Sequence, residues 1–179
     1  MKVIKKTELK NENHKRRAIT ERKIMQMCNS PFVVKLHYTF QTADKLYYIL
    51  DFVNGGELHS KLIKNIKFKE SLAKFYTAEI LLGLKSLHEN KILYRDLKSR
   101  NVLLDKEGHI KLIDFGLSQI CTDENVNERI ICGTPNYVAP EMLKGEKHTE
   151  MLDYWSLGVI LYEMLHGYYP FVDDSIRCP

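Results

Sequence analysis

Between residues 94 and 116 the chain reads YRDLKSRNVLLDKEGHIKLIDFG, which sets Asp96, Lys98, Asn101 and Asp114 among apolar runs. Lys98 follows Asp96 by two positions and Asn101 follows it by five, and Asp114 opens an Asp-Phe-Gly. These residue types suit one chemistry. Moving a phosphoryl group onto an alcohol needs a carboxylate to orient the hydroxyl and take its proton, a cation on the transferred oxygens, and hard oxygen ligands for Mg2+. Asp96 fits the first role, Lys98 the second, and Asn101 with Asp114 the third, while Gly116 lets the chain turn after Phe115. Taken singly, Asp-Phe-Gly reads as a turn and Arg95-Asp96 as a surface pair; the ordered set carries the weight.

Two short apolar runs, Lys91 to Leu93 and Ile110 to Ile113, read as strands that bring these groups to one edge. The longest helical pattern is Glu70 to Asn90, with Leu72, Tyr76, Ile80, Leu84 and Leu87 on one stripe and Leu81 and Leu82 widening it; it delivers the chain into Tyr94. Asp153 to His166 is a second strongly apolar helix, and its opening aspartate suits a buried carboxylate holding the backbone of the 94–101 loop. Upstream, residues 15 to 28 predict a helix whose stripe, Glu21, Ile24, Met25 and Cys28, includes a carboxylate. Burying it alone is costly, so a lysine is expected to reach it. Phe32 to Phe40 and Leu46 to Val53 predict a hairpin that ends in Asn54-Gly55-Gly56, which releases the chain into a helix with Glu57 near its start. Leu117 to Arg129 is polar and aperiodic, as in a mobile segment.

The set Tyr94-Arg-Asp96, Lys98, Asn101, Asp114-Phe-Gly116 and Cys132-Gly-Thr-Pro-Asn-Tyr-Val-Ala-Pro-Glu141 resembles the eukaryotic protein kinases. Tyr94 in place of a more usual histidine, with LHYTFQTADKLYYILDFVNGGEL and GHIKLIDFGLS, is similar to the AGC group, in its Akt, serum-kinase and mitogen- and stress-activated ribosomal-kinase branches. The resemblance runs from Lys2 to about Phe171. It implies an α+β, two-lobed fold, with a partial small lobe at 1–53 and a partial large lobe at 54–179. It implies ATP and Mg2+ as cofactors, and transfer of the γ-phosphate to serine or threonine of protein substrates. Asp96, Lys98 and Thr134 would then be catalytic, and Asn101 and Asp114 would hold the metal. Nucleotide contacts would come from Lys2 paired with Glu21, from Leu50, Asp51 and Val53 at the hinge, from Glu57 at the ribose, and from Leu103, Lys98, Asn101 and Asp114.

Three departures from that pattern matter. No Gly-x-Gly-x-x-Gly occurs in the sequence, so the first two strands of the fold are expected upstream of residue 1, and the helices that supply a partner for Glu141 beyond Pro179. Ile130 occupies the usual activating threonine position, which leaves Arg95 without that phosphate. Ser99-Arg100 replaces a more usual Pro-Glu, so the family preference for basic substrates is expected to fall to what Glu57 and Glu163 supply.

Composition is consistent with this reading. In 179 residues, 27 lysines and arginines against 23 acids give a net charge of +4, too modest and too dispersed for a nucleic-acid surface. The Lys5-Lys6 and Lys15-Arg16-Arg17 clusters read as solvated faces. The four cysteines form no Cys-x-x-Cys, which fits a reduced, cytoplasmic or nuclear compartment, and no apolar run approaches the roughly 18 residues of a membrane span. A kinase acting under upstream regulators is the first expectation. A catalytically inactive kinase-like interaction module is the alternative, and the two separate on whether Mg-ATP stabilises the protein and whether that depends on Asp114.

Overall fold

The structure is a computed structural model, and it describes residues 1–122 and 130–171. The expected N-terminal strand is present as β1 (Lys2–Lys5), and helix α1 (Glu12–Met27) follows. This helix starts earlier than its apolar stripe predicts, because the Asn11 side chain accepts a hydrogen bond from the His14 amide at 2.9 Å and so caps the first turn. The hairpin consists of β2 (Leu36–Gln41) and β3 (Lys45–Leu50), shorter than expected at the outer end of each strand and one residue longer at the turn. β3 lies between β1 and β2 in an antiparallel sheet, with Lys2 opposite Tyr48 and Leu36 opposite Leu50. The buried Tyr48 ties this sheet to α1, its hydroxyl donating to the Ala18 carbonyl at 2.9 Å.

Phe32 to Val34 leave the hairpin because Phe32 and Val34 bond to another strand instead. The amide of Val34 donates to the Leu112 carbonyl at 3.0 Å, and the Leu112 amide to the Phe32 carbonyl at 2.8 Å. Beyond Leu50 the chain crosses into a helix-rich part: α2 (Leu58–Asn65), α3 (Glu70–Glu89), β4 (Ile92–Leu93), β5 (Val102–Leu104), β6 (Ile110–Leu112), β7 (Gln119–Ile120), α4 (Pro140–Leu143) and α5 (Met151–His166). The mixed helix and strand content matches the α+β expectation. Among the described residues no helix is long and apolar enough to cross a membrane.

The core of this part is α3 against α5. Tyr76, Ile80, Leu84 and Leu87 of α3 and Ile160 and Met164 of α5 are fully or almost fully buried, each such side chain being worth about 1.5–3 kcal/mol on removal from water. Leu81 and Leu82 are not part of this core. They lie 43% and 49% exposed, since the buried stripe is narrower than their apolar character suggests. β7 also departs from expectation: Gln119 and Ile120 pair antiparallel with Leu93 and Ile92 rather than belonging to an aperiodic stretch. The rest of that stretch, residues 123–129, lies outside the described residues.

Candidate active site

The loop between β4 and β5 carries Asp96, and its shape is imposed from α5. Asp153, with no exposed surface, accepts from the Tyr94 amide on Oδ2 at 2.9 Å and from the Arg95 amide on Oδ1 at 2.8 Å. The buried His88 ring lies 2.8 Å from Oδ2. These bonds hold Arg95 at a φ of 64°, a left-handed conformation that a residue with a side chain adopts only under constraint. The opening carboxylate of α5 therefore does hold the loop backbone.

Asp96 is buried and has every oxygen engaged. Lys98 Nζ donates to Oδ2 at 2.8 Å, Thr134 Oγ1 to Oδ1 at 2.9 Å, and Asn101 Nδ2 to the backbone carbonyl at 2.9 Å and to Oδ2 at 3.2 Å. Lys98 Nζ also donates to Thr134 Oγ1 at 2.9 Å, closing a three-membered network across 36 residues of chain. Gly133 permits the approach: its φ is 99°, and a Cβ there would stand 3.0 Å from the Arg95 carbonyl.

Asn101 sits on the 3-10 turn Ser99–Asn101. Its amide nitrogen is held by Asp96, so its carbonyl oxygen is the atom it can offer to a cation. Asp114 has a half-exposed carboxylate and a φ of 62°, so the sharp turn falls on Asp114 itself rather than on Gly116. Gly116 instead leaves room for that carboxylate, since a Cβ on it would lie 3.3 Å from Asp114 Oδ1. Tyr94 packs edge-on to Phe115 with ring centroids 5.5 Å apart and donates to the Ile113 carbonyl. Burial, then the charges of Asp114, Asp96 and Asp153, push the Tyr94 phenol well up, which keeps it a neutral donor. Among the described residues no group of three or more acids, histidines or cysteines could hold a metal on its own. An amide oxygen and one open carboxylate suit Mg2+, which binds through one or two protein oxygens together with phosphates.

Lys2 and Glu21 meet as the sequence predicts, at 2.5 Å, with Lys2 Nζ also 3.5 Å from Asp114 Oδ1. At that length the second contact is electrostatic rather than a good hydrogen bond. Burial alone would lower the Lys2 pKa, but the charge and hydrogen bond of Glu21, with Asp114, outweigh it and raise the value. For Glu21 the balance is reversed. Burial raises its pKa, and Lys2 offsets this only in part.

Of the expected hinge residues, Leu50 ends β3 and Asp51 and Val53 follow it, with Asp51 held by its amide on the Lys35 carbonyl at 3.0 Å and by its side chain near His37 and Lys111. Gly55 lies flat on β5: its amide donates to the Leu104 carbonyl at 2.7 Å, and a Cβ there would collide with that carbonyl at 2.5 Å. Glu57 bridges Leu103 through the backbone, so both candidate nucleotide contacts stand beside the catalytic turn.

Glu163 corrects an expectation. It does not face a substrate; it is buried, accepting from Tyr137 OH at 2.7 Å and Ser99 Oγ at 3.1 Å, with His59 Nδ1 3.4 Å away. Burial, then the Glu163 charge, push the Tyr137 phenol up, so it stays a donor. Arg95 likewise is engaged within the chain, donating to the Leu117 carbonyl at 2.8 Å and Gln119 Oε1 at 2.7 Å. It lines an open basic groove with Arg16, Arg17, Lys23 and Ile130, and Lys15, Arg16 and Arg17 are exposed, as a solvated face requires.

The comparisons agree with this geometry. Residues 1–177 match the protein kinase domain. Over 171 residues, 96% of this chain, it is 52% identical to "Ribosomal protein S6 kinase alpha-1" of Rattus norvegicus and to "Ribosomal protein S6 kinase 2 alpha" of Gallus gallus, and 51% identical to "Ribosomal protein S6 kinase alpha-3" of Homo sapiens. The match covers 23% of the length of each relative. With an aspartate, lysine and threonine joined at one loop and a lysine–glutamate pair across the cleft from them, the chain belongs to the protein kinase domain family, in its AGC group.

Proposed function

We propose that this chain forms the catalytic part of a serine/threonine protein kinase that uses ATP and Mg2+. The observation that carries it is the closed Asp96–Lys98–Thr134 network. A substrate hydroxyl replaces Thr134 at Asp96 Oδ1, which orients it and accepts its proton, while Lys98 supplies positive charge to the transferring oxygens. Mg2+, held by Asn101 and Asp114 together with the phosphates, supplies charge neutralisation there. Lys2, fixed by Glu21, binds the more remote phosphates. Backbone groups of Asp51 and Val53, with Leu50 and Leu103, contact the adenine, and Glu57 the ribose. Placement of Thr134 beside the base and cation favours an aliphatic hydroxyl as acceptor. Upstream regulators and protein substrates are the implied partners.

Mg-ATP is expected to raise the melting temperature, and Asp114→Ala to remove that shift. Asp96→Asn should cut phosphoryl transfer at least ~100-fold while leaving the shift in place. Wild-type turnover in Asp96→Asn would remove Asp96 from its role. No shift and no transfer in the wild type would leave the non-catalytic interaction module as the reading.

A further inference from the structure

We propose that Arg100 makes this kinase select acceptor hydroxyls flanked by an anionic side chain, carboxylate or phosphate; this rests on the catalytic reading above. The turn Ser99–Asn101 turns its first and last residues inward, Ser99 with no exposed surface and Asn101 nearly so, and presents Arg100 outward, 63% exposed. An exposed guanidinium thus stands four residues past the catalytic carboxylate, on the turn that also holds a candidate Mg2+ ligand.

Of the acids around this turn, Asp114 keeps a half-exposed carboxylate on the Lys2 side, and the others are engaged within the chain. Glu163 is buried, with Tyr137, Ser99 and His59 around its oxygens. Asp96 is engaged by Lys98, Thr134 and Asn101. Glu57, fixed beside the turn by its backbone bridge to Leu103, is 41% exposed and lies 4.0 Å from Arg100 Nη1. That distance is the outer limit of an ion pair, and an exposed pair of this kind exchanges readily for a better-placed anion. The run that follows, Leu58 to Lys69, carries Lys61, Lys64, Lys67 and Lys69 and no acid, and the last three are exposed. The helix α2, which packs against the Ser99–Asn101 turn, thus adds cations and no acid on this side. A guanidinium also offers paired donors that match a carboxylate or phosphate.

The test compares kcat/KM of the protein and of its Arg100→Ala and Arg100→Glu variants on matched serine peptides, flanked at each position in turn by alanine, aspartate, phosphoserine or arginine. The wild type is expected to favour an anionic flank at one or two positions by about two- to fivefold, the range of an exposed pair. Arg100→Ala should erase that preference, and Arg100→Glu should shift it to arginine. Aspartate and phosphoserine acting alike assigns simple charge, and phosphoserine acting alone assigns a primed substrate; both support the proposal. A wild-type profile shared by both variants, or a wild-type preference for arginine, overturns it while leaving the kinase reading intact. Failure to phosphorylate any peptide removes that reading and the proposal together.

Discussion

The loop that carries Asp96 is anchored by Asp153, a carboxylate with no exposed surface that accepts from two loop amides, whereas Lys2 rests on a close pair with Glu21 and a longer contact with Asp114 and keeps 38% of its side chain in water. Removing one partner strands buried polar groups in the first case and only one in the second. Geometry in the loop is therefore set before any ligand arrives, while the lysine half is free to adjust to a nucleotide. The same contrast appears in the backbone, where the loop stores a left-handed residue at Arg95 that Asp153 holds in place.

Asp153→Ala breaks the comparison most severely. It leaves the Tyr94 and Arg95 amides and the His88 ring without their carboxylate, at about 1–3 kcal/mol for each buried donor left unpaired, or about 3–5 kcal/mol together. Urea unfolding measures it, and a loss below about 1 kcal/mol would show that the loop holds its shape unaided. Next is Lys2→Met. Glu21 then stays buried without its partner, and because Lys2 is partly solvated the cost falls from the 3–5 kcal/mol of a fully buried pair to about 1–2 kcal/mol. The variant should lose most of the Mg-ATP melting shift while keeping the Asp96–Lys98–Thr134 contacts. Equal nucleotide stabilisation in Lys2→Met and wild type would place the phosphates elsewhere.

How much of this was readable in the sequence differs between the two halves for a physical reason. Glu21 on an apolar stripe announces a buried carboxylate in need of a cation, and the kinase resemblance names Lys2 as that cation. Glu163 carries the same signal between Ile160 and Met164 of α5, yet its donors Tyr137, Ser99 and His59 lie 26, 64 and 104 residues away. Nothing in local periodicity connects them, and the family resemblance alone points Glu163 to a substrate, so the buried cluster is legible only in the structure. Hydrophobicity alone likewise points Leu81 and Leu82 to the core, whereas the packing of α3 leaves both about half exposed. The loop chemistry was legible because spacing within 94–116 encodes it; its anchoring was legible only at Asp153, where a charge opens an apolar helix.

A smaller, pH-dependent effect separates a held loop from a pinned surface turn. His109 follows the turn between β5 and β6, and its Nδ1 lies 2.5 Å from Glu79 Oε1, while Glu79 Oε2 accepts from the Ile110 amide at 2.9 Å. The hydrogen bond to Glu79, then its charge, raise the His109 pKa above 6.5; burial opposes them, and the charges of Asp105 and Glu107 raise it further. A raised folded pKa means that the protonated ring stabilises the fold fully below 6.5 and that this contribution fades as pH rises through the folded value. The urea midpoint should therefore decline slightly from pH 6 to pH 8.5, and His109→Gln should flatten that decline. The effect is small because the ring is exposed and water screens the pair. A decline that survives His109→Gln unchanged would assign it to another group, and the turn would then owe its shape to the Asp105 carboxylate, which accepts from the Glu107 and His109 amides at 3.0 and 2.9 Å.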